Sequence, residues 1–420
     1  MKSPIILLFI ILSINSQSSS NDLPEIELTE NEFQIEFEDL FDHSTLIRDK
    51  EKSYFNLSLK ADDLVNQMGM GYDLSNTLDA YVAKDTQYDQ GLSSETCWGN
   101  PYTTEEMIDS YITKGFKSLR IPVTWHNHFI DKDYTIDPEW MERVKTVVDW
   151  AYSKGLYVIL NTHHDDAQYS EENIPYGSGF YLLKRQRVES EKFLYNVWRQ
   201  ICIAFNNGYG ERLIFESLNE PRLVGLEREW WCPPDNEQCL EANEVLREYN
   251  QLVLKTVRLS GGNNLVRFMM FPTMGASYDN LAKFNFKVPE DKEFNVNNDR
   301  IILSLHMYTP YNFALNEDKK FNVFTEEFQK ELLDDFKYLY DNHILKGTHI
   351  IIGEMGTVDK NNMEERLKYA KFYVENARKF HLCSVLWVVS YDRKELSWES
   401  DELIDTYIEA AETPFSDKPY

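Results

Sequence analysis

The sequence predicts an α/β fold of the (β/α)8 TIM-barrel type, one domain preceded by an N-terminal extension. Three observations carry that prediction. Eight short apolar, β-branched runs alternate with longer stretches of helical period between residues 68 and 390, which is the pattern of buried parallel strands covered by helices. Most of these runs begin apolar and finish in reactive side chains, as expected where strand ends build a site at the C-terminal face of a barrel. A doubly wound open sheet would carry a glycine-rich phosphate-binding turn after its first strand, whereas Gly69-Met70-Gly71 lies inside the first run.

Taken in order, the predicted strands are Met68–Ser75, Ser118–Trp125, Tyr157–His164, Leu213–Glu220, Asn264–Thr273, Ile301–Tyr308, His349–Gly356 and Leu382–Ser390. The stretches between them include predicted helices at Thr104–Lys114, Pro138–Ser153, Glu189–Phe205, Glu241–Leu259, Thr325–His343 and Met363–Phe380. Asp137-Pro138 marks a helix start, because proline is tolerated in the first turn, where its missing N–H would have no partner. No repeat, low-complexity tract or long Pro/Gly/Ser linker interrupts this region, so residues 67–415 read as one domain.

The first 20 residues read as a secretion signal. Lys2 supplies a positive start, Ile5 to Ile14 is an apolar run too short to span a bilayer, and small polar residues follow up to Ser20. An N-terminal anchor is the alternative reading of the same segment. The expected location is therefore extracellular, with no membrane association once the signal is cleaved. Residues 21–66 form an acidic extension. Ile26, Leu28, Phe33, Ile35 and Phe37 alternate there with polar residues, which suggests a strand; a removable pro-segment is the alternative. Five cysteines cannot all pair with one another. Cys232 and Cys239 bracket a turn-rich Pro233-Pro234-Asp235-Asn236 segment and form the best disulfide pair, with Cys97, Cys202 and Cys383 left unassigned. Asn56-Leu57-Ser58 is a glycosylation sequon.

Charge narrows the function. With 43 basic and 70 acidic residues the chain carries a formal charge of −27. That argues against binding nucleic acid, which needs clustered Lys and Arg, and against attraction to an anionic membrane surface. The 42% apolar content excludes global disorder. The 14% aromatic content fits either an aromatic-lined binding surface or aromatic cores.

The reactive strand ends carry the chemistry. Arg120 lies in strand two, His163-His164-Asp165-Asp166 end or follow strand three, Asn219-Glu220 end strand four, His306 and Tyr308 end strand six, Glu354 lies in strand seven and Trp387 in strand eight. Two carboxylates facing each other across a barrel mouth are what glycosidic-bond cleavage uses, one to protonate the leaving oxygen and one to attack the sugar carbon. Glu220 and Glu354 are that pair. Arg120 is expected to keep Glu354 ionised, and the neighbouring negative charge to raise the pKa of Glu220. Taken singly, either Glu could instead be a structural ion pair, and Trp387 a core side chain. A metal site at His163-His164-Asp165-Asp166 is the alternative chemistry, but the other strand ends supply mainly Glu, Tyr, Trp and Arg. No metal and no cofactor are expected.

Five segments carry a resemblance: Ser75-Asn76-Thr77-Leu78-Asp79-Ala80, Glu95-Thr96-Cys97-Trp98-Gly99-Asn100-Pro101, Gly115-Phe116-Lys117-Ser118-Leu119-Arg120-Ile121-Pro122-Val123-Thr124-Trp125, Phe215-Glu216-Ser217-Leu218-Asn219-Glu220-Pro221-Arg222 and Gly353-Glu354. Together, from about Met68 to about Trp398, they resemble glycoside hydrolase family 5, in particular its endo-β-1,4-glucanase branch. The resemblance implies a retaining mechanism, with Glu220 as acid/base and Glu354 as nucleophile. It also implies that Arg120 and Tyr308 support Glu354, that His163 and His306 line the cleft, that Asn219 holds the sugar 2-hydroxyl and that Trp387 is the sugar platform. The implied partner is a β-glucan chain, cut by a monomer. Xyloglucan, mixed-linkage glucan, mannan or xylan are alternative substrates, and a catalytically silent carbohydrate-binding barrel is the alternative class. Two departures stand out: Trp387 is followed by Val388-Val389-Ser390-Tyr391-Asp392 where the family often has Trp-Asp-Asn, and Ser75 stands where glycine is common.

Overall fold

The computed structural model describes residues 55–82, 89–168, 179–294, 299–388 and 391–420. The signal segment and the acidic segment through residue 54 lie outside the described residues, as do the last two residues of predicted strand eight. Eight parallel strands close into a barrel in sequence order, β1 Met70–Asp73, β2 Ser118–Ile121, β3 Tyr157–Asn161, β4 Leu213–Glu216, β5 Met269–Ser277, β6 Ile301–His306, β7 His349–Gly356 and β8 Cys383–Val388. Closure is made by β1 against β8, with Met70 opposite Ser384 and Tyr72 opposite Leu386. The predicted barrel is thus the observed one.

The helices follow local sequence signals. Helix α1 (Ala61–Gln67) precedes the first strand. Helix α2 (Glu105–Lys114) starts at Thr104, whose side chain accepts from Met107 N, and stops at Gly115 in the left-handed region at φ 117°, a cap conformation that glycine takes without a Cβ clash. Helix α3 (Pro138–Ser153) begins behind Asp137 as the sequence predicts, and α4 spans Arg187–Ala204. Helix α5 (Glu237–Leu259) begins four residues earlier than predicted, because the Asn236 side chain caps it by accepting from Cys239 N at 3.1 Å. Short helices α6 (Tyr278–Lys283) and α7 (Tyr311–Ala314) follow β5 and β6. Helices α8 (Glu326–Asn342) and α9 (Met363–Lys379) match their predictions within a residue, and α10 (Asp401–Ala410) packs on α9 after a two-strand hairpin, β9 Tyr391–Asp392 and β10 Ser397–Trp398.

Two strand predictions shift for identifiable reasons. Strand five starts at Met269, not Asn264, because Asn264 sits in a single tight turn and uses its side chain on Cys202 O, Ser260 Oγ and Arg267 Nε. Strands three and four stop before His163 and Glu220 because side chains take over the ladder at the rim. Thr162 Oγ1 and Trp198 Nε1 both donate to Ser217 O, and Val123 N donates to Asn161 Oδ1. The reactive residues therefore stand just beyond the ladder, anchored but free to face inward.

The core has two parts. One lies between barrel and helices and includes the fully buried Trp125, Trp140 and Trp198. The other fills the barrel floor, where Ile159, Ile214, Met270, Ile302, Ile351 and Val385 meet Leu64, Val65 and Met68. Helix α1 thereby plugs the N-terminal end, and residues 55–66 of the extension join the barrel's own packing. Gly71 faces this crowded interior: a Cβ there would come 2.7 Å from Ser118 Oγ and 2.9 Å from a Val385 methyl, so no side chain fits. Asn56 Oδ1 accepts from Ser58 N and Oγ at 3.1 and 2.7 Å, and its backbone N–H donates to Glu211.

Candidate active site

Arg120 is the centre of the site. It is fully buried at the C-terminal end of β2 and its guanidinium is divided among four partners. Nε donates to Glu216 Oε2 at 2.8 Å, and Nη2 donates to Asn219 Oδ1 at 2.7 Å. Nη1 donates both to Glu354 Oε1 at 2.9 Å and to Asp73 Oδ1 at 3.1 Å. The planar fork of arginine suits this task, since it presents donors in fixed directions and stays charged when buried. Glu354, in β7, is bound through its other oxygen as well, where Tyr308 OH donates to Oε2 at 2.9 Å. Burial and the negative charges around it push the Tyr308 phenol well above its ordinary value, so it remains a donor.

Glu220 follows β4 and is held from the opposite side. His306 Nδ1 lies 2.7 Å from Glu220 Oε1 and 3.5 Å from Glu354 Oε2. The ligand atoms of Glu220, His306 and Glu354 all lie within 4.8 Å of one another. Two carboxylates this close correspond to the narrow spacing of a nucleophile and acid/base pair. The wider spacing of about 6.5–9.5 Å would leave room for a water between them.

The expected ordering of the two acids is reversed. Burial raises the Glu220 carboxyl, but the His306 hydrogen bond and charge, with Arg222 and Arg120 behind it, outweigh burial and hold it below the usual range. Burial also raises Glu354, and there it prevails over His306 and Arg120. Arg120 cannot serve Glu354 alone because Glu216 and Asp73 draw on the same guanidinium. Burial lowers His306, but the Glu354 charge, then the hydrogen bond and charge of Glu220, raise it above its ordinary value. The proton for the leaving group is thus shared along the Glu220–His306 bond.

The remaining predicted residues converge on the same mouth. Asn219 is buried with its Oδ1 committed to Arg120, which leaves its N–H2 for a ligand. His163 is buried and stacks on Trp387, centroids 5.6 Å apart and planes 9° off parallel. Asn161 Nδ2 donates to His163 Nδ1 at 3.1 Å, so the ring hydrogen sits on Nε2. Burial and then the neighbouring charge of His164 push its pKa well below the ordinary value, so the imidazole is neutral. Cys232 and Cys239 form a disulfide at the base of the loop that carries Trp230 and Trp231, both about two-thirds exposed. Arg222 lies 4.4 Å under the Trp230 ring and donates to Glu220 O at 3.0 Å, which ties that loop to the site.

Two groups of described residues bring metal-type atoms together, Glu220–His306–Glu354 and Asp79–His163–His164. In the first, every atom already has a partner and Arg120 opposes a cation. In the second, the His163 tautomer directs a hydrogen rather than a lone pair from Nε2. The Asp165 of the proposed metal segment instead accepts from the backbone N–H groups of Trp125 and His126 at 2.9 and 2.8 Å, and Asp166 pairs with Arg222 at 2.9 Å.

Two functional side chains carry no role in the sequence reading, Asp73 and Glu216. Glu216 accepts from Arg120, from Asn161 Nδ2 at 2.9 Å and from Ser304 Oγ at 2.6 Å. Its signal in the sequence is a second carboxylate four residues before Glu220, inside an apolar run. Asp73 is fully buried, its Oδ2 has no partner, and burial raises it well above the usual carboxylate range, so it is a neutral acid beside the nucleophile.

Comparison with known proteins agrees with this geometry. The family model described as Cellulase (glycosyl hydrolase family 5) matches residues 82–393. Endoglucanase B of Clostridium cellulovorans is 33% identical over 369 residues, 84% of this chain and 76% of that one. Endoglucanase 1 of Ruminococcus albus is 37% identical over 371 residues, 84% and 82% of the two chains. Among solved structures, a mutant of the Glycoside Hydrolase 5 Lichenase from Caldicellulosiruptor sp. F32, in complex with cellotetraose, superposes with a TM-score of 0.76 at 35% identity, covering 84% of this chain and 96% of that one. A broad specificity endoglucanase from Ruminococcus champanellensis with bound cellotriose gives 0.72 at 32% identity, covering 83% and 98%.

Proposed function

The chain belongs to glycoside hydrolase family 5, and from that membership we propose a secreted, monomeric endo-β-1,4-glucanase that cuts internal bonds of glucan chains with retention at the anomeric carbon. The observation that carries the mechanism is the convergence of Glu220, His306 and Glu354 within 4.8 Å. Glu354 attacks the anomeric carbon as its bond to the leaving oxygen breaks. Glu220 gives that oxygen the proton it shares with His306. The product of this step is a glycosyl ester on Glu354 and a free chain end. Water then attacks the ester, Glu220 takes its proton, and Glu354 is released as a carboxylate. Arg120 and Tyr308 bind one oxygen each of Glu354, which fixes the attacking lone pair and steadies the carboxylate when it leaves. The Asn219 amide faces the 2-hydroxyl, neutral His163 donates from Nε2, and Trp387 offers its ring face to the apolar C–H side of a sugar. No cofactor takes part.

Mixed-linkage glucan is a second substrate, favoured by the likeness to the lichenase. The test is release of reducing ends from carboxymethyl-cellulose, mixed-linkage glucan, xyloglucan, mannan and xylan by the mature chain and its Glu354→Gln variant. Release from a β-1,4-linked glucan that vanishes in the variant supports the reading. Folded protein that binds these polymers and cuts none of them overturns it in favour of a binding protein, and activity lost to chelator would favour a metal-dependent hydrolase.

A further inference from the structure

A second pocket opens beside Trp387, of about 460 Å³, walled by the β1 and β7 loops and the β9–β10 hairpin. Its chemistry is distinctive. Arg366 and Arg393 are 1% and 8% exposed, and each has an Nη1 with no hydrogen-bond partner. Both guanidiniums are otherwise fixed. Arg366 donates through Nε to Thr357 Oγ1 and through Nη2 to Thr357 O, and Arg393 Nη2 donates to Ser75 O. Arg366 Nη1 stands 3.8 Å from both Asp359 Oδ1 and Glu399 Oε1, which also line the pocket. These gaps are too long for direct hydrogen bonds and leave the donor facing the pocket. A buried charged donor without a partner is costly, and two on one wall mark a place where a ligand completes the bonding.

We propose that this pocket is a further sugar-binding subsite of the enzyme, taking a neutral sugar ring whose adjacent hydroxyls accept from Arg366 Nη1 and Arg393 Nη1 and donate to Asp359 and Glu399. Two cations and two anions balance, so the wall selects a neutral polyol over an anion. Asn76 and Asn100 supply amides on the same wall, and Trp387 connects the pocket to the reacting centre. The sugar comes either from the main chain of the glucan or from a branch on it. The proposal rests on the glucanase reading above and adds a specificity element to it.

The test compares kcat/KM for a three-unit and a six-unit β-1,4-glucan oligomer and for a xylosyl-branched oligomer, in the wild type, Arg393→Lys and Glu399→Gln. Arg393→Lys keeps the charge but cannot present a planar Nη1. Glu399→Gln acts at a side chain 34% exposed, where folding is not at stake. The expected result is a roughly tenfold fall in the preference for the longer or branched oligomer over the trimer, the size expected for one charged hydrogen bond. A fall with the unbranched six-unit oligomer assigns the pocket to the main chain, and a fall with the branched oligomer alone assigns it to a branch. An unchanged preference in both variants overturns the subsite while leaving the glucanase reading intact. Wild-type protein that cuts no oligomer fails the parent reading instead, and equilibrium titration of Glu354→Gln with the same oligomers then decides the pocket by whether Glu399→Gln weakens binding.

Discussion

At the barrel floor, Ile159, Ile214, Met270, Ile302 and Ile351 close against Leu64 and Val65 of α1. At the mouth, a few residues further along the same strands, Arg120, Glu216, His306 and Glu354 crowd together. The floor gains by removing apolar surface from water. The mouth holds carboxylates out of water around one guanidinium, an arrangement that costs stability unless every oxygen is bonded. The contrast separates what keeps the barrel folded from what lets it act, and substitutions at the two ends should therefore fail differently.

The largest effect is expected at the mouth. Glu220→Gln should lower kcat by roughly 10²–10⁴-fold, the range for losing a general acid, and Glu354→Gln should abolish the ester-forming step, read as reducing-end release. Neither should unfold the protein. Glu354 has a folded pKa raised by burial, so the folded state favours its protonated form and loses stability as pH rises through that value. Glutamine cannot ionise, so Glu354→Gln should melt no lower than wild type at neutral pH. The floor should behave in the opposite way. Leu64→Ala should destabilise by about 2–5 kcal/mol through the cavity it leaves, measured by denaturant unfolding, with kcat of the folded enzyme unchanged. A Leu64→Ala variant that melts normally but turns over poorly would erase the distinction between the two ends.

Smaller effects sharpen the picture at the mouth. Tyr308→Phe should reduce kcat roughly tenfold, the worth of one hydrogen bond to a charged group. His306 faces Glu220 at 2.7 Å, Glu354 at 3.5 Å and Arg120 at 3.5 Å. Its raised pKa places loss of the shared proton above the ordinary imidazole value. His306→Asn leaves that proton to the Glu220 carboxyl alone, so the alkaline limb of kcat/KM should move to lower pH. An unmoved limb would mean that His306 does not share the proton.

Much of this was legible in the sequence because it rests on local pattern. Continuous apolar runs such as Ile301–Leu305 and caps such as Asp137-Pro138 act through near neighbours, so the eight strands and six helices could be located. Glu220 and Glu354 stood out because a carboxylate at the end of an apolar run demands a partner. Sharing was not legible. That Arg120 Nη1 serves both Asp73 and Glu354, and that His306 reaches both Glu220 and Glu354, depends on which strands meet across the barrel. The reversed order of the two acids follows from that sharing. Helix α1 was also missed, because seven residues, Ala61–Gln67, give too short a period to separate from the acidic stretch before them.

The most direct test of the Glu220–Glu354 account is to trap the covalent intermediate. A 2-deoxy-2-fluoro-glucan glycoside with a good leaving group slows hydrolysis of the ester more than its formation, and peptide mass spectrometry then locates the sugar. The account predicts one sugar adduct per chain, on the peptide that contains Glu354, absent in Glu354→Gln. An adduct on any other residue, or turnover that yields the inverted anomer with no adduct, would contradict it.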